Sequence, residues 1–159
     1  MPRTKPAAEI TPAARLEEGE LYGIVGYQIA QASVTTLATF ARSAGATHSL
    51  RTGEFTALML VKSNPDVTPS QLAKALAVTA PNVTVWINSL EQRGLVRRLS
   101  GTQDKRNQHL RVTAEGARLA GKAVGAIVAA ELEAWPDLTA AERAMLVELL
   151  HKISRRRRT

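Results

Sequence analysis

The chain has no cysteine among its 159 residues, which excludes disulfides, thiolate zinc sites, cysteine nucleophiles and thiol-based redox sensing together. Aromatic residues make up only 4% of it, so the core has to be built from Leu, Val, Ile and Ala. Between Leu21 and Ala41 there is no charged side chain at all. Spanning a bilayer takes ~20 mostly apolar residues, but Gln28, Gln31, Ser33, Thr35, Thr36 and Thr39 put too many polar groups here for a lone span. The stretch reads as a helix largely buried against protein, with no membrane partner. Near the N-terminus Arg3, Lys5, Glu9 and Arg15 are not followed by an apolar export region, so a cytoplasmic protein is expected. Catalytic groupings are missing too. His48, His109 and His151 are scattered, and neither a carboxylate pair, a Ser-His-Asp grouping nor metal-ligand spacing is visible. Without a dinucleotide-binding glycine pattern or an internal repeat, the expectation is a protein with no enzyme activity, metal or cofactor.

What the chain does have is positive charge in particular places. The net charge of +7 points to a polyanionic partner, and its distribution is more telling than its sum. Residues 89–111 hold Arg93, Arg97, Arg98, Lys105, Arg106 and Arg111 against Glu91 and Asp104 alone. The tail adds Lys152 and Arg155, Arg156, Arg157 and Arg158 without an acid. That tail reads equally as a solvated charge run or as a DNA contact.

Local patterns give the order of elements. Residues 1–15, rich in Pro, Ala and Thr, form a loose arm. Leu21, Ile24, Val25, Ile29, Leu37 and Phe40 recur at helical spacing, which predicts one long helix from Leu16 to about Ala44, loosened at Gly23 and Gly26. Thr52 is placed to cap a helix carrying Phe55, Leu58 and Met59, ended by Asn64-Pro65-Asp66. Thr68-Pro69-Ser70-Gln71 is a capping box with proline at the first helical position, and Leu72 and Leu76 give that short helix its buried face.

After only Ala77-Val78, Thr79 can cap a second helix whose first turn tolerates Pro81. On it Val83, Ile87 and Leu90 form an inward stripe, and Trp86 at its margin reads as core packing. The opposite face carries Pro81, Val85, Asn88, Ser89 and Gln92, flanked by Asn82 and Thr84. Small amides and hydroxyls, rather than Lys or Glu, suit an edge that meets bases in a groove. Gly94 ends the helix, Leu95–Leu99 and His109–Val112 read as strands, and the polar segment between them is a loop. Helix, helix, strand, basic loop, strand is the order of a winged helix. Thr113 caps a long alanine-rich helix interrupted at Trp135-Pro136-Asp137. Thr139–Glu142 is a second capping box, before Met145, Leu146, Leu149, Leu150 and Ile153.

These residues make the segment from Leu50 to Leu119 resemble the central module of the MarR family. The matching elements are Leu72-Ala73 with Leu76, the run Leu90-Glu91-Gln92-Arg93-Gly94-Leu95-Val96-Arg97-Arg98, then Asp104-Lys105-Arg106, and Val112-Thr113-Ala114-Glu115-Gly116. The resemblance implies a mainly α fold with a small two- or three-stranded β wing, a winged helix-turn-helix in a homodimer with long interlocking terminal helices. It implies a dimerisation helix at 16–50, the DNA-binding module at 51–113, and dimerisation helices with the basic tail at 114–159.

The partner it implies is double-stranded DNA with an inverted-repeat operator, in the nucleoid. Thr79, Pro81, Asn82, Thr84, Val85 and Asn88 would lie in or beside the major groove, and Arg106 would enter the minor groove. Asp104 would orient the loop by pairing with a nearby arginine such as Arg98, while Lys105 and Arg97 would meet phosphates or solvent. A repressor released by a small, aromatic or phenolic effector is expected. Tyr22, Tyr27, Gln28, Gln31, His48 and Arg51 are the candidate ligand groups, with mutual satisfaction of these groups as the alternative. A regulator without a ligand and a non-specific architectural DNA-binding protein are the competing readings.

Overall fold

A computed structural model describes residues 10–11, 13–100 and 108–156, and the chain divides into two compact units, residues 1–38 and 39–159. In the first unit Ile10 and Glu17 form an isolated antiparallel bridge around a turn in which Ala14 and Arg15 take positive φ. A 3₁₀ turn follows at Gly19–Gly23, and helix α1 begins only at Val25, ending at Phe40. The single helix expected from Leu16 is therefore shorter at its start. Gly19, at φ 55°, and Gly23 interrupt it where helix propensity is lowest. Burial differs as well: within this chain only Thr39 and Phe40 of α1 are buried, while Leu21, Ile24, Val25, Val34 and Leu37 are exposed.

The second unit opens on the last two residues of α1 and continues into a π-helical segment, Ala41–Gly45, and a single turn α2, Ala46–His48. In the π segment the Ser43 hydroxyl bonds back to the Thr39 carbonyl at 2.8 Å. Ser49 then takes a left-handed conformation and reverses the chain into α3, Thr52–Ser63. The N-cap is Arg51 rather than the expected Thr52, and its backbone N–H donates to the Glu54 carboxylate at 2.9 Å. Helices α4, Pro69–Leu76, and α5, Ala80–Gln92, follow.

Strands β1, Val96–Ser100, and β2, Gln108–Val112, pair antiparallel with Val96 opposite Val112 and Arg97 opposite Arg111. Val67, in the loop before α4, adds a bridge to Leu110. Helix α6, Ala114–Ala134, is capped by the Thr113 hydroxyl, which accepts from the Gly116 N–H at 3.0 Å. Gly116 has to be glycine, because a Cβ there would lie 2.0 Å from the Leu95 carbonyl oxygen. Helix α7, Ala140–Ser154, starts at the expected capping box. Thr139 donates from its backbone N–H and its hydroxyl to Glu142, and these bonds hold the Glu142 carboxyl below its ordinary pKa.

The core is aliphatic and centred on the helix-turn-helix. Leu58, Val61, Leu72, Val83, Ile87, Leu90, Val96 and Leu110 are fully buried, each worth about 1.5–3 kcal/mol relative to exposure. Phe40 and Phe55 meet beside it with ring centroids 5.5 Å apart. α7 stands apart from this core. None of its residues is buried, and Met145, Leu146, Val147, Leu149, Leu150 and Ile153 are all exposed. It is tied to α6 through Arg143, whose guanidinium donates to the Glu131 and Trp135 carbonyls at the end of α6.

Candidate nucleic-acid interface

The tight turn between α4 and α5 is built by backbone bonds. Thr68 and Gln71 cap α4 reciprocally, with Thr68 N–H to Gln71 Oε1 at 2.8 Å and Gln71 N–H to Thr68 Oγ1 at 3.2 Å. At the far end Ala77 adopts φ 52°, so that its N–H reaches the Lys74 carbonyl at 3.2 Å and that of Val78 reaches Ala73 at 3.1 Å. The chain is thus turned sharply into α5. Thr79 occupies the N-cap position there, but its side chain makes no capping bond, contrary to expectation, and Thr79 is exposed. Pro81 sits in the first turn, where its missing N–H leaves no bond unmade.

Helix α5 separates its two faces as the spacing predicts. Val83, Ile87 and Leu90 are fully buried, and Pro81, Asn82, Thr84, Val85 and Asn88 are exposed. The Thr84 hydroxyl donates back to the Ala80 carbonyl at 3.0 Å, and the residue is exposed. Trp86 is half-buried against the core, as read from its place beside the stripe. At its C-terminus α5 ends on Gly94, φ 68°, with Leu95 N–H to the Leu90 carbonyl and Gly94 N–H to that of Glu91, both 2.9 Å.

The arginines around the wing differ in their freedom. Arg97 is exposed on β1 and forms no ion pair among the described residues. Arg111, across the ladder from it, is held in a bidentate pair with Asp66, both bonds 2.7 Å. That guanidinium holds the Asp66 carboxyl below its ordinary pKa, and the same bond raises Arg111 above its own. His109 Nδ1 lies 2.8 Å from the Asp66 backbone carbonyl, so β2 fastens the loop that leads into α4.

Arg98 turns inward. Its guanidinium donates to the Glu91 carboxylate and to the Asn88 amide oxygen, so among the described residues its partners are on α5. Asp104, expected to hold Arg98, lies with Lys105 and Arg106 outside the described residues. By its place in the sequence Arg93 belongs only to a motif and a charge cluster. In the structure it bridges the end of α5 to the α2–α3 turn, donating to the carbonyls of Ser49 and His48 at 2.8 Å each.

The candidate ligand groups fall in both units. In the first, the Tyr27 hydroxyl donates to Glu18 at 3.1 Å, and burial together with that carboxylate raises the phenol's pKa. Gln28 donates to the Tyr22 carbonyl at 3.0 Å, while Tyr22 and Gln31 are exposed. In the second, His48 is half-buried and Arg51 exposed. Sequence reasoning also missed a cleft of about 320 Å³ lined by Thr39, Arg42, Ser43, Ala130, Glu133 and Ala134. The Thr39 hydroxyl there is buried without a hydrogen-bond partner among the described residues. No sequence pattern could have announced that cleft, because it joins residues some ninety positions apart. Among the described residues no cluster of three metal-ligating side chains occurs, and no helix is long and apolar enough to cross a membrane.

Comparisons with known proteins agree with this geometry. Residues 50–107 match the sequence model of the MarR family. A Thauera aromatica protein whose name gives it a regulatory role at the hcr operon is 28% identical over 153 residues, spanning 96% of this chain and 91% of that protein. The structure of the transcriptional repressor CouR bound to a 23-mer DNA duplex is similar with a TM-score of 0.78 at 28% identity, covering 87% of this chain and 98% of that one. Wild-type MarR from E. coli, in its apo form, is similar with a TM-score of 0.69 at 25% identity, covering 81% and 96% of the two chains.

Proposed function

We infer that this chain is a member of the MarR family of winged helix-turn-helix transcriptional regulators, on the match of residues 50–107 to that family and the similarity to its regulators. It acts as a sequence-specific repressor, a homodimer that places α5 of each copy in successive major grooves of an inverted-repeat operator. The observation that carries this reading is the two-faced character of α5. Val83, Ile87 and Leu90 anchor it, whereas Asn82, Thr84, Val85 and Asn88 stand exposed and uncharged beside a basic wing. The similarity to a repressor on a DNA duplex supports the same assignment. Asn82, Thr84, Val85 and Asn88 read bases, Thr79 and Pro81 set the helix entry, and Arg97 and Lys105 meet phosphates. Arg106 enters the minor groove, with Asp104 orienting its loop.

Dimerisation accounts for the apolar side chains left exposed on α1 and α7. Leu146, Leu149, Leu150 and Ile153 on one helix, and Val34 and Leu37 on the other, ask for a cover that a single chain does not supply. Two copies of α5 then lie about one turn of duplex apart, with half-sites ~10 bp centre to centre.

Release from DNA follows if a small organic effector prefers the spacing of the two α5 helices that does not fit the groove. The polar groups of the charge-free α1 and the cleft at Thr39 and Arg42 support an effector of this kind. The test is selection of bound sequences from a randomised duplex pool, followed by anisotropy titration and light scattering of the complex. A palindromic sequence bound by two chains is expected. Equal affinity for selected and random duplex at moderate salt would favour the architectural reading, and a monomer on a single half-site would refute the dimer.

A further inference from the structure

We propose that Arg98 fixes how Asn88 reads DNA: by holding the amide oxygen toward β1 it turns the NH₂ to the groove, so that Asn88 selects a base with an acceptor edge instead of pairing bidentately with adenine. The inference rests on the assignment of α5 to the major groove and makes it specific at one base position.

The chemistry of the pair decides the orientation of the amide. A guanidinium has five N–H donors and no acceptor, so the Asn88 group facing it has to be the carbonyl oxygen. The hydrogen bond runs from Arg98 to Asn88 Oδ1 at 2.5 Å. Arg98 is itself held on its other side by the Glu91 carboxylate, one turn further along α5, and its side chain is only 25% exposed. A charge-assisted contact from a fixed donor is stronger than one between neutral groups. It therefore sets the Asn88 amide plane before DNA arrives.

Asparagine recognises adenine by offering both ends of its amide, the oxygen to N6–H and the nitrogen to N7. With the oxygen drawn toward β1, the end of Asn88 left for the groove is its NH₂. Guanine N7 and O6, adenine N7 and thymine O4 can accept from it, while the exposed amino group of cytosine cannot. Arg98 is a positioning residue in this scheme. Its positive charge is matched by Glu91, so it shapes specificity without serving as a phosphate contact.

The experiment uses the full chain and a duplex selected by it, with single base-pair substitutions scored by anisotropy. Asn88→Ala first identifies the base position that Asn88 reads, as the one whose preference flattens. At that position the wild type should bind guanine at least as well as adenine and disfavour cytosine. Arg98→Met keeps the apolar stem and removes the donor, so the adenine-to-guanine affinity ratio there should rise about fivefold or more. In the Asn88→Ala background the same change should leave the ratio unaltered, which a general loosening of the wing would not predict.

Should Arg98→Met lose helix content, the Asn88 side-chain NH₂ resonances of the free wild-type protein give the answer: nuclear Overhauser contacts should place that NH₂ away from the Arg98 guanidinium, and contacts placing it against Arg98 would overturn the role. A wild type that already prefers adenine strongly, or a ratio unmoved by Arg98→Met, overturns the role of Arg98 and leaves the DNA-binding assignment standing. Binding without any sequence preference in the wild type defeats that assignment, and this inference with it.

Discussion

The indole of Trp86 occupies the space that a side chain at position 53 would need: a Cβ built on Gly53 comes within 2.4 Å of its Cε2 and Cζ2 atoms. α3 and α5 approach closely because one contributes no side chain and the other a large ring. Gly53→Ala should therefore force Trp86 off its seat and cost about 1–3 kcal/mol by overpacking. Urea denaturation followed by fluorescence, in a Trp135→Phe background, reports both effects. Unchanged stability with an unshifted emission maximum would show that the ring moves freely.

Ala77 holds a left-handed conformation in the turn between α4 and α5, at φ 52°. Such a conformation costs a residue with a Cβ about 1–2 kcal/mol, while glycine loses about 0.4–1 kcal/mol through its freer unfolded state. Ala77→Gly should stabilise the protein by up to about 1 kcal/mol and leave operator affinity unchanged. Calorimetry checks the first outcome and anisotropy the second; a lower Tm would mean that the turn is not strained.

The Asp66–Arg111 pair gives the fold a defined acid limb. Because the Asp66 carboxyl has a lower pKa folded than unfolded, its contribution is present above the unfolded value and is lost as the pH falls through the folded one. The pair is exposed and its contribution modest and screened by salt. Asp66→Asn should remove part of the stability lost between neutral and strongly acid pH, with the difference shrinking at high salt. Thermal melts of both proteins across that range decide it; parallel curves would contradict the assignment.

Arg106→Ala should weaken operator binding about tenfold or more, because an arginine in a narrow minor groove gains from the enhanced negative potential there. Dimerisation and helix content should not change. Equal affinity of the two proteins in an anisotropy titration would remove Arg106 from the interface.

Much of the fold was legible because its signals are local. The capping boxes at Thr68–Gln71 and Thr139–Glu142 and the terminating Gly94 each act within a few residues, and all occur where the spacing placed them. The stripe of Val83, Ile87 and Leu90 was readable for the same reason, since helical period alone fixes which residues share a face. The start of α1 was misplaced because apolar spacing continued through Gly19 and Gly23, where the backbone itself breaks the helix. Thr79 marks the cap position correctly without its hydroxyl making the bond. Composition predicts which residue types favour a cap and leaves the rotamer open.

By itself the sequence determined the order of the elements, the buried stripe of α5, the charge around the wing and the absence of thiol chemistry, all of them properties of neighbouring residues and of composition. Only the tertiary structure decided which charges have partners: Arg111 is held by Asp66, Arg98 by Glu91 and Asn88, and Arg93 by the carbonyls of His48 and Ser49. Spacing along a chain carries no information about Arg111 meeting Asp66 or Arg93 meeting Ser49 and His48, each more than forty residues away. That meeting is set by how strands and helices pack, and with it which arginines keep their charge for DNA.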